Sequence, residues 1–175
     1  MKIFISPPFG NYFDYFTIKS KIYKNENIEF IPIKGSFTLQ KREGLLTQIL
    51  KTLRYSFTYK GWVNKIGLRN PGIDEAIKKY NDKKFENSIV SVAVINRYEI
   101  PLLLKNIPND MDLEINVSCP NLDKNLNDIG IEKFINRYRR YCILKVSPLS
   151  EYSLIDHYYK KGFRQFHCCN TVPVE

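Results

Sequence analysis

The sequence predicts an α/β fold that is built on a parallel β-sheet. Along the chain, the hydrophobic pattern switches from the alternation of a strand to the spacing of a helix and back again. A strand–helix–strand order of this kind places successive strands in parallel through right-handed crossovers. Six segments have the alternation and length of strands: Lys2–Ser6, Ile28–Lys34, Ser88–Val94, Leu113–Ser118, Cys142–Val146 and Arg164–Cys169.

Helices are predicted between the later strands. The first has Asn70 as its cap and Pro71 in its first turn, and a weaker helix begins near Pro101. The last is expected to start at Ser150 and to stop at Gly162. Apolar residues three and four positions apart define the three stronger helices: Ile73, Ala76, Ile77 and Tyr80; Ile131, Phe134, Ile135 and Tyr138; and Leu154, Ile155 and Tyr158.

The segment Gly35–Asn70, between the second and third predicted strands, is longer than an ordinary helical crossover. Long insertions on α/β scaffolds tend to carry function. We therefore expect residues 1–175 to form a single domain with a long loop insertion, residues 35–70, after the second strand.

Composition excludes several classes of protein. The 175 residues are 43% hydrophobic, which suffices for one cored domain, and no apolar run reaches the 18 or so residues that cross a membrane. The N-terminal residues MKIFISPPFGNYF lack the cleavage site of a secretory signal. The four cysteines, of which Cys168 and Cys169 are adjacent, lack the spacing of a disulfide framework, so we expect a reduced, cytoplasmic setting. Two histidines and no Cys-x-x-Cys pair argue against a metal site.

Net positive charge is concentrated in the N-terminal part of the chain, because acidic residues are scarce there. Residues 1–70 contain 12 of the 27 Lys and Arg residues but 4 of the 18 Asp and Glu residues. A basic segment of this kind attracts an anionic ligand or nucleic acid. It is more commonly the composition of a solvated face, and the lysines form no tight run, so charge alone does not predict a nucleic-acid partner.

Polar residues follow four of the predicted strands at their carboxyl ends. Ligands of parallel α/β folds bind at this edge of the sheet, which makes these residues the candidate site. Amides donate and accept hydrogen bonds together, so they suit a planar ligand with alternating N–H and C=O groups. Lysines suit a carboxylate or a negative charge that develops during a reaction. The residues are Lys34, Gly35 and Ser36 after strand two, Asn116–Asn121 after strand four, Lys145–Pro148 after strand five, Asn170 and Thr171 after strand six, and Asn64 and Asn70 in the long insertion.

Each of these residues alone has an ordinary structural explanation. An asparagine after a strand is commonly a turn residue, and a single cysteine such as Cys119 commonly packs as a small hydrophobe. Their shared placement is what indicates a ligand site. His157 and His167 are expected to be structural, because one lies in a predicted helix and the other within a predicted strand.

Four motifs, NKIGLRNPG, INVSCPN, ILKVSP and CNT, resemble the dihydroorotate dehydrogenase family in this order. A fifth segment, IKGSFTLQKREG, is similar to the loop after the family's second strand. Other flavin barrels share the Cys-Pro turn, but its combination with the Asn-x-x-Gly-Leu-x-Asn-x-Gly loop is specific. The resemblance implies FMN-dependent oxidation of dihydroorotate to orotate in de novo pyrimidine biosynthesis. It also implies an incomplete (β/α)8 TIM barrel, with about six of the eight β/α units.

The same resemblance implies a role for each candidate residue. Cys119 would be the general base that removes a proton from C5 of dihydroorotate, and Pro120 would fix the turn that holds its sulfur. Lys145 would lie beside N1 and O2 of the flavin, and Lys34 near the flavin and the substrate carboxylate. The implied cofactor contacts are Lys34, Ser36, Asn116 and Lys145, and the implied substrate contacts are Lys34, Asn64, Gly67, Leu68, Asn116, Asn121, Asn170 and Thr171.

A cysteine base is typical of the family's soluble class, which agrees with the lack of an apolar membrane segment. The expected ligand is dihydroorotate or orotate. The expected partner is a second copy of the chain or an electron-transfer subunit, with neither a membrane nor nucleic acid. The resemblance leaves the electron acceptor open between fumarate and NAD.

Three features depart from the family pattern. ISPPFG stands where the family's first strand ends in alanine followed by Gly or Ser, and KGSFTL holds one residue more than the family spacing. The chain also stops after its sixth predicted strand, whereas TIM barrels bind phosphate after strands seven and eight. We therefore expect the chain to be the N-terminal two-thirds of a barrel and to be inactive alone. The alternatives to a fragment are a half-barrel that is completed by a second copy or a partner, and a remnant without catalysis. The alternative function is that of a flavin enzyme similar to dihydrouridine synthases, which acts on RNA.

Overall fold

Six parallel strands form the main sheet of the structure, a computed structural model that describes residues 1–13, 28–117 and 130–168. The strand order is β1-β2-β5-β6-β7-β8, and β3 and β4 pair separately as an antiparallel hairpin. The strands are β1 (Lys2–Ile5), β2 (Glu29–Phe37), β3 (Arg54–Ser56), β4 (Gly61–Val63), β5 (Ile89–Ala93), β6 (Leu113–Asn116), β7 (Cys142–Lys145) and β8 (Gln165–His167). The helices are α1 (Leu45–Thr52), α2 (Ile73–Asn81), α3 (Ile100–Asn106) and α4 (Tyr152–Lys160).

The main sheet is curled rather than flat. Phe4 on β1 and Ser6 just after it line the same cavity, of about 400 Å³, as Gln165 and His167 on β8. The first and last strands of a six-stranded sheet share a cavity when the sheet bends round towards closure. With helices between the strands, this is the geometry of a TIM barrel that has about six of its eight β/α units, as the sequence predicts.

Alternate residues of the central strands face two different cores. Val90 and Val92 of β5 belong to the larger apolar cluster, which packs the sheet against the helices. Ile89 belongs to a smaller cluster on the opposite, concave face. Since side chains alternate across a strand, Ser91 lies on the concave face, and so does Glu114, its register partner on β6.

Strand β2 contains an irregularity within the KGSFTL segment. Lys34 pairs with Val90 of β5, and the next pair is Phe37 with Val92. Between these two pairs β2 therefore contains one residue more than β5. Gly35 has a φ of 95° at this point, and a Cβ there would lie 2.4 Å from the Phe37 ring. The predicted strand therefore continues three residues beyond Lys34.

The insertion after β2 is folded rather than irregular. It contains α1 and the hairpin β3–β4, and a bridge between Arg42 and Asn70 closes it. None of the residues of α1 is buried. The most exposed large apolar side chains of the insertion are Leu46 (75%), Leu50 (85%), Phe57 (87%) and Trp62 (71%).

Asn70 does not cap helix α2 as the sequence predicts. The cap position is Gly72, at a φ of 89°. The Asn70 Oδ1 atom instead accepts hydrogen bonds from the backbone N–H groups of Thr38 (3.0 Å) and Gly72 (2.9 Å). The side chain thus joins the end of the insertion to the end of β2.

The helix predicted over residues 131–138 is wrong beyond its first turn. Only a 3-10 turn, Ile131–Phe134, forms there. The Phe134 carbonyl accepts from Nη1 of Arg139 (2.7 Å), and Oδ1 of Asn136 accepts from the backbone N–H of Tyr138 (2.9 Å), so these groups are withdrawn from a helical ladder.

The other helix predictions need smaller changes. Helix α3 carries Pro101 in its first turn as expected. Helix α4 begins at Tyr152 with Glu151, not Ser150, at the cap, and Gly162 follows its end at a φ of 112°. Across the described ranges, no helix has the length and apolar character needed to cross a membrane.

Arg139 holds the segments before β6 and β7 together, and we expect Arg139→Lys to destabilise the protein. Its guanidinium donates to the carbonyls of Met111 (2.8 Å), Phe134 (2.7 Å) and Pro108 (3.0 Å). A lysine cannot reach all three, so the free energy of unfolding is expected to fall by about 2–4 kcal/mol in urea titrations followed by circular dichroism. Arg137→Lys is the control, because the exposed Arg137 stacks on Tyr138 and should change stability by no more than about 0.5 kcal/mol. Equal effects of the two substitutions would show that the three carbonyl contacts are dispensable.

We expect the protein to lose stability at alkaline pH because the Cys142 thiol on β7 is buried in its neutral form. Burial raises the pKa of Cys142 to about 11, whereas an exposed thiol ionises at about 8.5. The stabilisation is therefore complete below about pH 8.5 and is lost as the pH rises towards 11, by up to about 3 kcal/mol. Urea titrations from pH 8 to 11 on Cys142→Ala should lack this component, whereas Cys168→Ser, at an exposed cysteine, should retain it. Parallel pH curves for the wild type and Cys142→Ala would contradict the expectation.

Candidate active site

Asn116 and Lys145 lie side by side at the carboxyl ends of β6 and β7. The register pairs Asn116 with Ala93 on one side and with Lys145 on the other, and Lys145 with His167 on β8. Paired residues of neighbouring parallel strands share a face, so these four side chains form a row on the concave face. We call Ala93, Asn116, Lys145 and His167 the strand-end row.

Asn116 is held by a hydrogen-bonded chain that crosses the sheet. The residue is 6% exposed, and its Nδ2 donates to Oγ of Ser36 on β2 at 2.9 Å. Oγ of Ser36 lies 2.9 Å from Oγ of Ser91, which donates to Oε1 of Glu114 at 2.7 Å. Oε2 of Glu114 lies 2.6 Å from Nδ1 of His167. We call Asn116, Ser36, Ser91, Glu114 and His167 the polar chain.

Lys145 is a half-buried cation beside Asn116. Its ammonium makes no hydrogen bond or ion pair with any other residue of the described ranges. A lysine in this position can stabilise negative charge on a ligand bound over the strand ends.

Lys34 occupies a different position from the strand-end row. Its side chain is 2% exposed, and its ammonium donates to the Gly10 carbonyl at 2.8 Å. The register pairs it with Val90, whose side chain lies in the helix-side core. Lys34 therefore faces away from the concave side and connects β2 to the helical residues 9–13, whereas the extra residue that follows it brings Ser36, rather than Gly35, to the concave face.

The candidate residues of the insertion lie in one loop. Asn64 is exposed, and its Oδ1 accepts from the Ile66 N–H at 3.2 Å. Gly67 has a φ of 68° with open space where a Cβ would lie. The Leu68 carbonyl accepts from Nδ2 of Asn70 at 2.9 Å, so the loop is anchored through Asn70 to the end of β2.

Four of the predicted site residues lie outside the described residues. They are Cys119, Asn121, Asn170 and Thr171.

Sequence reasoning missed the members of the polar chain that do not stand at a strand end. Ser91 and Glu114 each sit between apolar residues of a strand, and Glu114 is completely buried. His167, expected to be structural, contacts that carboxylate. One signal in the sequence could have identified them. Two neighbouring strands each carry a polar residue, Ser91 or Glu114, between apolar residues.

Gly10 sets the distance between the helical residues 9–13 and the first two strands, so Gly10→Ala is expected to be destabilising. A Cβ at this position would lie 2.3 Å from the carbonyl oxygens of both Ile5 and Ile33. Neither backbone atom can move freely, and we expect a loss of about 2–4 kcal/mol in thermal unfolding. Gly61→Ala is the control, since its Cβ would meet only the Tyr59 carbonyl at an ordinary 3.7 Å. If Gly10→Ala unfolds like Gly61→Ala, the close approach of these segments is wrong.

One protein family matches most of this chain. The model of the family described as dihydroorotate dehydrogenase matches residues 13–139. The chain belongs to the dihydroorotate dehydrogenase family. The match includes the insertion, Asn116 and the polar chain except for His167.

Individual members of the dihydroorotate dehydrogenase family resemble the chain over different lengths. The catalytic subunit of dihydroorotate dehydrogenase B (NAD(+)) from Petrotoga mobilis is 32% identical over 86% of this chain and 56% of its own length. Dihydroorotate dehydrogenase A (fumarate) from Lactiplantibacillus plantarum is 35% identical over 38% of this chain and 24% of its own length. A putative dihydroorotate dehydrogenase A (fumarate) from Streptococcus agalactiae is 25% identical over 90% and 56%. The chain thus spans about half the length of the longest-matching of these relatives, and no solved structure matches it.

Proposed function

We propose that this chain takes part in the FMN-dependent oxidation of dihydroorotate to orotate. The observation that supports this best is the adjacent placement of Asn116 and Lys145 at the carboxyl ends of paired parallel strands. Relatives named for NAD(+) and for fumarate both match the chain. The proposal therefore concerns the oxidation of dihydroorotate, which both names have in common.

The donors of the strand-end row suit the polar edge of a flavin ring. Lys145 offers a cation and Asn116 an amide on the concave face. Ser36 adds a hydroxyl that is already fixed by two neighbours. We assign Asn116, Lys145 and Ser36 to FMN. The proposal keeps Lys34 as a contact of FMN and of the substrate because of the family resemblance, although its ammonium donates to the Gly10 carbonyl on the other side of β2.

The residues of this chain would share the chemistry as follows. The thiolate of Cys119, three positions after Asn116, removes the proton at C5 of dihydroorotate. When bound, FMN supplies the acceptor for the hydride that leaves C6. The Lys145 ammonium stabilises the negative charge that develops beside it.

Amide and backbone groups would orient the pyrimidine. Amides match the alternating N–H and C=O groups of its ring, and Asn116 already has a fixed orientation on the concave face. The remaining substrate contacts in the proposal are Asn64, Gly67, Leu68, Asn121, Asn170 and Thr171.

Flavin absorbance provides the direct test of this proposal. We expect the protein, loaded with FMN under anaerobic conditions, to lose its visible flavin band when dihydroorotate is added. Cys119→Ala should slow this bleaching by about 10²–10⁴-fold, the range that a positioned general base contributes. Lys145→Met should slow it by about 10²–10³-fold, whereas Lys105→Met, at an exposed lysine of α3, should match the wild type.

Two results would contradict the proposal in different ways. Flavin that binds but is not bleached by dihydroorotate would show that the substrate assignment is wrong. Failure of the 175 residues to bind FMN would contradict a working site in this chain alone.

A further inference from the structure

We propose that Glu114 and His167 are positioning residues that fix the side chain of Asn116 through Ser91 and Ser36. The consequence for ligand binding rests on the proposed function, but the contacts themselves do not. All five side chains of the polar chain lie within the described residues, and together they link β2, β5, β6 and β8.

Glu114 is the fixed end of this arrangement. Its side chain is fully buried, and a carboxylate in such a place is stable only when its oxygens are hydrogen-bonded. Both oxygens are used, since Oε1 accepts from Ser91 and Oε2 faces Nδ1 of His167. An ionised carboxylate can only accept, so its two neighbours must each point a proton at it.

That requirement determines the direction of every other hydrogen bond in the chain. The Ser91 hydroxyl proton is committed to Glu114, so the contact between the two serine oxygens needs the proton of Ser36. The Ser36 oxygen is then left as an acceptor, and Nδ2 of Asn116 donates to it. If the Asn116 amide were flipped, its Oδ1 would face the Ser36 oxygen with no proton between them.

Asn116 consequently has one allowed amide orientation. Its Nδ2 is turned towards Ser36, and its Oδ1 therefore points away from β2. The buried carboxylate on β6 thus selects which polar atom of Asn116 faces β2 and which faces away from it.

Side-chain amide NMR tests this coupling without relying on catalysis. The paired ¹H–¹⁵N signals of Asn116 can be assigned through their loss in Asn116→Asp. We expect Ser91→Ala, which interrupts the chain, to shift or broaden this pair and to weaken the binding of the probe orotate by about tenfold, the loss of one oriented hydrogen bond. Ser88→Ala is the matched control, because Ser88 lies just before the same strand and its hydroxyl, among the residues that the structure describes, bonds only the Glu86 carbonyl, at 3.5 Å. That control should leave both readouts unchanged.

A second variant keeps the test decisive if Ser91→Ala does not fold. Glu114→Gln has the same shape but carries an N–H₂ group that competes for the Ser91 or His167 contact, and it should perturb the same pair of Asn116 signals. Unchanged Asn116 signals and unchanged orotate affinity in a folded Ser91→Ala or Glu114→Gln variant would overturn the inference. If orotate binds neither the wild type nor any variant while the Asn116 signals still respond, the positioning role stands and the proposed function fails.

Discussion

A fully buried carboxylate in the middle strands of the sheet constrains the arrangement of the candidate site. Glu114 lies on the concave face of β6, where its charge cannot reach water. The structure satisfies it with a hydroxyl from β5 and an imidazole from β8, so strands that are not all neighbours in the sheet meet at one group. The hydrogen-bonding roles of Ser36 and Asn116 follow from these contacts to Glu114. Each group in the chain donates or accepts according to what the preceding group requires.

The irregularity in β2 is the second feature on which the site depends. A regular strand would bring residue 35 opposite Ser91. Residue 35 is a glycine, which has no side chain to hydrogen-bond the Ser91 hydroxyl. The extra residue moves Ser36 into that place and leaves Phe37 to pack in the helix-side core. Lys34 precedes the shift and pairs with Val90, so its contact with the Gly10 carbonyl on the other side of β2 does not depend on the extra residue.

The order and approximate ends of all six barrel strands could be predicted from the sequence, because buried parallel strands are short apolar runs between turn and helix signals. The strand-end residues Asn116 and Lys145 followed from the general rule for ligand sites in such folds. The role of Ser91 and Glu114 did not follow. Periodicity reports that alternate residues differ in environment, but it does not say which side of a doubly covered strand is concave.

Tertiary contacts account for the helical predictions that were wrong. The spacing of Ile131 and Phe134 is helical, yet Arg139 captures the Phe134 carbonyl from five residues away and ends the turn. Asn70 has the composition of a cap, yet its oxygen serves the Thr38 N–H across the insertion. The insertion was expected to be a loop, but it contains a helix and a hairpin. No residue of the helix is buried, so burial does not impose on it the hydrophobic pattern from which helices are predicted.

The position of Trp62 has a consequence for how the molecule can be observed. It is the chain's single tryptophan, it stands in the hairpin β3–β4, and it is 71% exposed. Its fluorescence emission therefore reports the environment of the insertion, whereas the aromatic side chains of the main core are tyrosine and phenylalanine. Emission and far-ultraviolet ellipticity consequently monitor two different parts of this protein, and a difference between their denaturation midpoints would measure how independently the insertion melts from the barrel sheet.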